Sequence, residues 1–220
     1  MRKIKIAPGE YYHIYNRGVN KREIFLDESD RTRFLFCLLH FQSEATFNNL
    51  GYYISYFRKH KKFNVSHITI SKIITKRSVE LINFTLMPNH FHAIILEAKE
   101  KGISMYMQRV LNSYTKYFNT KYKGTGHLFQ GPYQAVHVEN NSQLLHLSAY
   151  IHKNPKEIKY TGNEWRKYFW SSYQDCTVQN RWPDLLKTDI IMGQFEEKVE
   201  YVNFVKTSLA KEDQNQSEIK

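Results

Sequence analysis

Apolar and polar residues alternate from Tyr11 to Asn16, the period of a strand with one buried face, and Arg17-Gly18 supplies the turn that ends it. A three-to-four spacing follows. Asp27 to Ser29 open a helix whose apolar set, Phe34, Leu35, Leu38, Leu39 and Phe41, falls mainly on one face. Between Gln42 and about Lys76 the pattern blurs at Asn48-Asn49 and Gly51, and the cluster Arg58-Lys59-His60-Lys61-Lys62 reads as a solvated charge run. This stretch is expected to be an insertion of short helical pieces. Val79 to Leu86 and Phe91 to Glu97 are two strands joined at Pro88-Asn89 as a hairpin. Ile103 to Tyr122 repeats helically through Met107, Val110, Leu111, Tyr114 and Phe118, and stops at Gly124 and Gly126. Tyr133 to Val138 is a fourth strand, and Ser142 opens a helix that Pro155 halts after Asn154.

The order strand, helix, strand, strand, helix, strand, helix predicts an α+β fold: a ferredoxin-like antiparallel sheet with helices on one face and an added C-terminal helix. The other face is then available for chemistry. Residues 1–175 are expected to form this domain, with the insertion at about 42–76, and residues 176–220 a helical extension and polar tail. Segments Trp165 to Tyr173 and Glu197 to Val205 read as peripheral helices, and Lys211 to Lys220 as a frayed end.

Charge changes the picture. Lys and Arg outnumber Asp and Glu by 32 to 21, giving +11 and a sequence pI near 9.5. Such a balance favours polyanions, nucleic acid ahead of a membrane surface because no basic amphipathic helix stands out. Aromatic residues, 15% of the chain, interleave with the basic ones, a mixture that suits stacking on the bases of a single strand as well as ordinary packing. Two cysteines, Cys37 and Cys176, provide neither a disulfide framework nor a cysteine zinc site. Pro8, Gly9 and Glu10 interrupt any signal-like start, and the longest apolar run, Phe34 to Leu39, is too short to span a bilayer. A cytoplasmic location is expected.

His90 and His92 flank Phe91 at the start of a strand, so both imidazoles project from one face and can share a divalent cation. Taken alone, two histidines so placed are more often packed or hydrogen-bonded. Tyr150 and Asn154, four apart on the last helix, add a phenol and an amide oxygen on one helix face. If that helix crosses the open side of the sheet, Asn154 completes the ligand set, and a hard cation, Mg²⁺ or Mn²⁺, accepts its oxygen.

At these residues the chain resembles the HUH single-tyrosine transposases, and most closely the REP-associated tyrosine transposases. The likeness runs from Tyr11 to Tyr173. It is carried by Tyr12-His13-Ile14 through Asn16-Arg17-Gly18, Met87-Pro88-Asn89-His90-Phe91-His92, Gly126-His127-Leu128-Phe129-Gln130, Tyr150-Ile151-His152-Lys153-Asn154-Pro155 and Trp170-Ser171-Ser172-Tyr173. The resemblance implies the HUH endonuclease fold, with His90 and His92 as paired metal ligands, Asn154 as the third and Tyr150 as the nucleophile on the added helix. It also implies nicking and strand transfer of single-stranded DNA at hairpin-forming repeats, through a 5′-phosphotyrosine. Two departures stand out: the 42–76 stretch is longer than the minimal family core, and related insertion-sequence transposases carry Gln where Asn154 stands. The insertion-sequence relatives are dimers and the repeat-associated branch is often monomeric, so a homodimer stays open.

Tyr114 and Tyr117 are the alternative nucleophiles, since they too sit on a helix near basic residues. His13 is read as a neighbour of the site or a core hydrogen-bonder, while His127, His137, His146 and His152 are unassigned. Arg17, Lys21, Arg22, Arg109 and Lys116 are candidate phosphate contacts. The competing functions are a non-catalytic single-stranded nucleic-acid-binding module on the same scaffold and a metal-dependent hydrolase that activates water.

Overall fold

A computed structural model of the chain describes residues 5–44, 49–158, 160 and 162–208. In chain order the elements are β1 (Tyr11–Arg17), α1 (Glu28–His40), α2 (Leu50–His60), α3 (His67–Thr75), β2 (Val79–Met87), β3 (His90–Glu97), α4 (Gly102–Tyr122) and β4 (Gln134–His137). Then follow α5 (Asn141–Lys153), α6 (Tyr173–Thr177), α7 (Asp189–Met192) and α8 (Lys198–Thr207). The sheet order is β2-β3-β1-β4 with every pairing antiparallel, the ferredoxin-like arrangement expected from the element order. Among the described residues no helix is long and apolar enough to cross a membrane.

Alternation along the strands divides the sheet into two unlike faces. Tyr12, Ile14, Phe84, Leu86, Phe91, Ala93 and Ile95 point toward α1 and α4 and are buried in one large core. α1 enters that core through a capping box in which Asp27 accepts from Asp30 N at 2.9 Å and the Asp30 side chain answers. The fully buried Glu97 ends β3 and caps α4, its carboxylate accepting from Gly102 N at 3.0 Å and Ile103 N at 2.6 Å. On the opposite face β2 is irregular: register shifts between Leu81 and Asn83, so Ile82 and Asn83 both turn toward α5.

α5 lies across this second face, with α8 packed outside it. A closed ring of buried hydrogen bonds fixes the helix. Asn83 Nδ2 donates to Ser148 Oγ at 3.2 Å, Ser148 meets the Tyr201 hydroxyl, and that hydroxyl lies 2.7 Å from His152 Nδ1. His152 Nε2 lies 2.8 Å from Ser172 Oγ, which donates to Asn83 Oδ1 at 3.2 Å. Because each member is fully buried and each bond closes the next, displacing α5 leaves several polar groups unsatisfied at once.

One segment differs from the sequence reading, and another agrees with it. The stretch from Trp165 to Tyr173 is not a helix. After a short 3₁₀ turn at Glu164–Lys167, Trp170 to Ser172 run along the open edge of β2, with Leu86 N donating to Trp170 O at 2.9 Å and Ser172 N to Phe84 O at 3.0 Å. An unpaired strand edge is the stronger local demand there. The 42–76 stretch does form helices, α2 and α3. Their Phe57 joins Phe36 and Phe63 around Trp182, at ring separations of 5.2–6.2 Å, so a residue far along the chain closes this corner. The tail Lys211–Lys220 lies outside the described residues.

Candidate active site

The Pro88-Asn89 turn sets His90 at the mouth of β3. Pro88 O accepts from Ile24 N and Phe25 N at 2.8 and 3.1 Å, and Asn89 O accepts from Gly18 N at 2.8 Å, so the turn is held from three sides. Gly18 is required there, because a Cβ would lie 2.2 Å from Arg22 O. Two residues on, His92 pairs with Thr85 on β2 and Tyr15 on β1 and points to the same face as His90. The two rings lie 5.0 Å apart, nearly perpendicular.

α5 brings its side chains onto this pair. Thr85 Oγ1 donates to Ile151 O at 2.8 Å, which seats the helix directly over the imidazoles. The Tyr150 ring stands edge-on to His92 at 5.5 Å and to His13 at 6.2 Å. After Lys153 the chain tightens into a 3₁₀ turn, Asn154–Glu157, with Pro155 in its first turn, and Asn154 Oδ1 comes to 3.0 Å from His90 Nε2.

The protonation pattern follows from the hydrogen bonds. Asn89 Nδ2 donates to Lys21 O at 3.1 Å, which turns Asn89 Oδ1 toward His90 Nδ1 at 2.7 Å. His90 Nδ1 must therefore carry the proton. Burial, the largest influence, lowers the His90 pKa, so the ring is neutral and Nε2 presents a lone pair. Two acceptors, Nε2 and Asn154 Oδ1, thus face each other, while Asn154 Nδ2 is buried with no hydrogen-bond partner among the described residues. A shared cation between the acceptors satisfies this arrangement; without one, a half-turn of the amide would set Nδ2 against Nε2. His92 is held well below the usual imidazole range, first by burial and then by the neighbouring His13 and His90. Its Nδ1 lies 2.8 Å from His13 Nε2, and a proton on Nδ1 leaves His92 Nε2 free to ligate. Among the described residues no three His, Cys, Asp or Glu side chains form a metal-binding group, so the third donor available is the Asn154 amide oxygen. The donor set fits a divalent cation that accepts both nitrogen and oxygen.

A cleft of about 690 Å³ opens on these groups, lined by Tyr15, Arg17, Lys21, His90, Gln130 and Tyr150 among others. Arg17 Nε donates to Gln130 Oε1 at 2.6 Å, which sets a guanidinium on the rim. Of the other basic candidates, Lys21 lines the cleft, whereas Arg22 donates at 3.2 Å to His127 O, a residue of a separate hollow beside α4. Lys116 lines that hollow. Arg109 is not brought to the cleft: it donates to Ser43 O and lies 4.7 Å over the Phe41 ring.

Tyr114 and Tyr117 sit on the far side of the sheet. Tyr114 is fully buried and donates to Ile24 O, with its pKa raised by burial; Tyr117 donates to Asp30 Oδ1 at 3.1 Å. His137 pairs with Glu10 at 2.8 Å, and His146 lies 3.2 Å from Ser208 Oγ. Sequence reasoning missed the contributions of Asn89, Tyr15 and Glu157. Asn89 carried a readable signal, a polar side chain between a turn proline and a candidate ligand; Tyr15 and Glu157 carried none, because only the pairing of β1 and the turn after α5 bring them to the cleft.

No curated protein sequence matches the chain. The solved structure of a REP-associated tyrosine transposase bound to a REP hairpin superposes with a TM-score of 0.53 at 13% identity, covering 84% of this chain and 88% of that one, a likeness of fold. The family described as transposase IS200-like matches residues 11–154, a span that runs from the first residue of β1 to Asn154. By that match the chain belongs to the IS200-like transposase family.

Proposed function

We propose that the protein nicks single-stranded DNA and transfers the cut strand through a covalent link to Tyr150, with a divalent cation held by His90, His92 and Asn154. The observation that carries this reading is the meeting of Tyr150 with His90 and His92 in the lining of one cleft, with Asn154 Oδ1 3.0 Å from His90 Nε2. When bound, Mg²⁺ or Mn²⁺ would neutralise a non-bridging phosphate oxygen, the charge that otherwise shields phosphorus from attack. His13 holds the ring of His92, and Asn89 that of His90, so that lone pairs face the phosphate site. The Tyr150 Oη–P bond forms as the P–O3′ bond breaks; the phenol loses its proton and the departing 3′-oxygen gains one. A second strand's 3′-hydroxyl reverses the exchange and frees Tyr150, so no ATP is required. Arg17 and Lys21 line the path of the backbone.

The structural relative was solved with a REP hairpin, and this supports hairpin-forming repeats as the substrate here. Incubating the protein with labelled hairpin DNA and Mn²⁺ tests the reading. A labelled band that survives denaturation is expected from the parent and from Tyr114→Phe, and none from Tyr150→Phe. DNA binding with no such band in any variant would leave a binding module; cleavage that persists in Tyr150→Phe would point to a hydrolase.

A further inference from the structure

Lys153 stands between Tyr150 and Asn154 in sequence, where its charge could serve a phosphate, yet it does not line the cleft. Its side chain is buried, and the ammonium donates to Lys206 O at 3.3 Å and to Ser208 O, both at the C-terminal end of α8. Carbonyls at a helix end have no partner further along the helix and carry its negative pole, so the buried cation and the end of α8 satisfy each other. A second contact strengthens the join. His146 precedes Lys153 by about two helical turns and lies on the same stripe of α5, with Nδ1 3.2 Å from Ser208 Oγ. Between them the Tyr201 hydroxyl reaches Ser148 and His152. α8 thus grips α5 at His146, Ser148, His152 and Lys153, while on the sheet side Thr85 holds Ile151 O at 2.8 Å. Tyr150 stands within the span held from both sides, and Asn154 directly after it. Every residue of α8 lies beyond Asn154, where the family match ends.

We infer that Lys153 and Tyr201 are positioning residues for the strand transfer: they splint α5 against α8, so that the Tyr150 phenol and the Asn154 amide stay over the histidine pair. In this role Lys153 touches no DNA, because its donors are spent on α8. What it supplies is the setting of the turn after α5, in which the next residue brings Asn154 Oδ1 to His90. In-line attack tolerates little displacement, a misplacement of about 1 Å costing on the order of 100-fold in rate. The inference rests on the DNA reading of the cleft for Tyr150 and on the cation reading for Asn154.

Two variants test it: Lys153→Met, which keeps an unbranched side chain and removes its donors, and Tyr201→Phe, which removes one hydroxyl. Lys206→Met is the control, since its side chain is exposed at the same end of α8 and its carbonyl is kept. Circular dichroism and urea titration give the folded fraction of each, so that rates and affinities refer to folded protein. With saturating hairpin DNA and Mn²⁺, both variants should form the Tyr150 adduct about tenfold more slowly than the parent, with the half-saturating DNA concentration unchanged. Calorimetry without DNA should show Mn²⁺ bound about tenfold more weakly by Lys153→Met. Lys153→Arg, which still donates to the carbonyls, should recover most of both losses, and Lys206→Met should match the parent throughout. A parental adduct rate in either folded variant would overturn the inference. So would a raised half-saturating concentration with a shallower salt slope in Lys153→Met, which would make the lysine a phosphate contact. If the parent forms no adduct, the DNA reading fails and the Mn²⁺ comparison decides the splint, with equal affinity in Lys153→Met overturning it. A parent that binds no Mn²⁺ either overturns both.

Discussion

The two faces of the sheet are built by the same strands, one of carbon alone and the other of carbon mixed with buried polar groups. Toward α1 and α4, Ile14, Phe84, Leu86, Phe91 and Ala93 present only carbon and aromatic rings. Toward α5 the strands present the apolar Ile82 and Ile94, but beside them His13, Thr85 and His92, each nearly or fully buried and hydrogen-bonded. Burying polar groups stabilises a fold less than burying carbon, so a face of imidazoles and hydroxyls costs stability that a function must justify. The difference assigns the work: the first face holds the molecule together, and the second holds α5 in register over the histidines.

Substitutions can break this contrast, and the largest effect is expected on the carbon face. Phe91→Ala, which empties a fully buried site between Phe34 and Phe129, should lower unfolding free energy by about 3–5 kcal/mol in urea titrations. A loss near zero would mean that the core is not where the stability lies. Acid should act on both faces. Burial lowers His40 on α1 to about 4 and His152 on α5 to about 3, whereas unfolded imidazoles titrate near 6.5. Between these limits the unfolded chain binds protons that the folded one refuses. Stability is therefore fully present above pH 6.5 and falls as pH drops, by about 1.4 kcal/mol per pH unit for each histidine. Urea midpoints taken from pH 7 to pH 5 check the slope, and His40→Leu should make it shallower.

On the polar face the expected loss is of ligation, not of stability. His13→Ala should weaken Mn²⁺ binding by about 10–100-fold, read by titration calorimetry, because the His92 ring loses the partner that fixes its tautomer. Equal Mn²⁺ affinity in the variant would reduce His13 to a packing residue. The smallest effect belongs to the rim: Arg17→Ala should reduce the salt slope of DNA binding by about one, whereas Arg109→Ala, whose guanidinium is spent on Ser43 and Phe41, should leave it unchanged.

Much of the carbon face was legible in the chain, since alternation and helical spacing are local and report burial directly. The hairpin at Pro88-Asn89, the helix entered at Asp27 and the strand beginning at Tyr11 all stand within a residue or two of where the pattern puts them. The polar face was legible only in part. His90 and His92 on one strand face, and Tyr150 with Asn154 on one helix face, were readable as two separate pairs. Their meeting depends on long-range facts: the β2 irregularity at Ile82, and the ring that ties Ser148 and His152 to Tyr201 and Ser172. The bridge made by Trp170 to Ser172 falls where the spacing predicts a helix for the same reason, because its partner lies far back along the chain on β2. No local period encodes a pairing whose only reason is an open edge.

In the proposed reaction the α5 phenol, and no other, reaches the DNA phosphorus beside the histidine pair. Mass spectrometry of the peptide left attached to hairpin DNA after digestion of a Mn²⁺ reaction tests this most directly. A nucleotide mass is expected on the peptide containing Tyr150; attachment at Tyr114, Tyr117 or any other residue would overturn the assignment of the nucleophile.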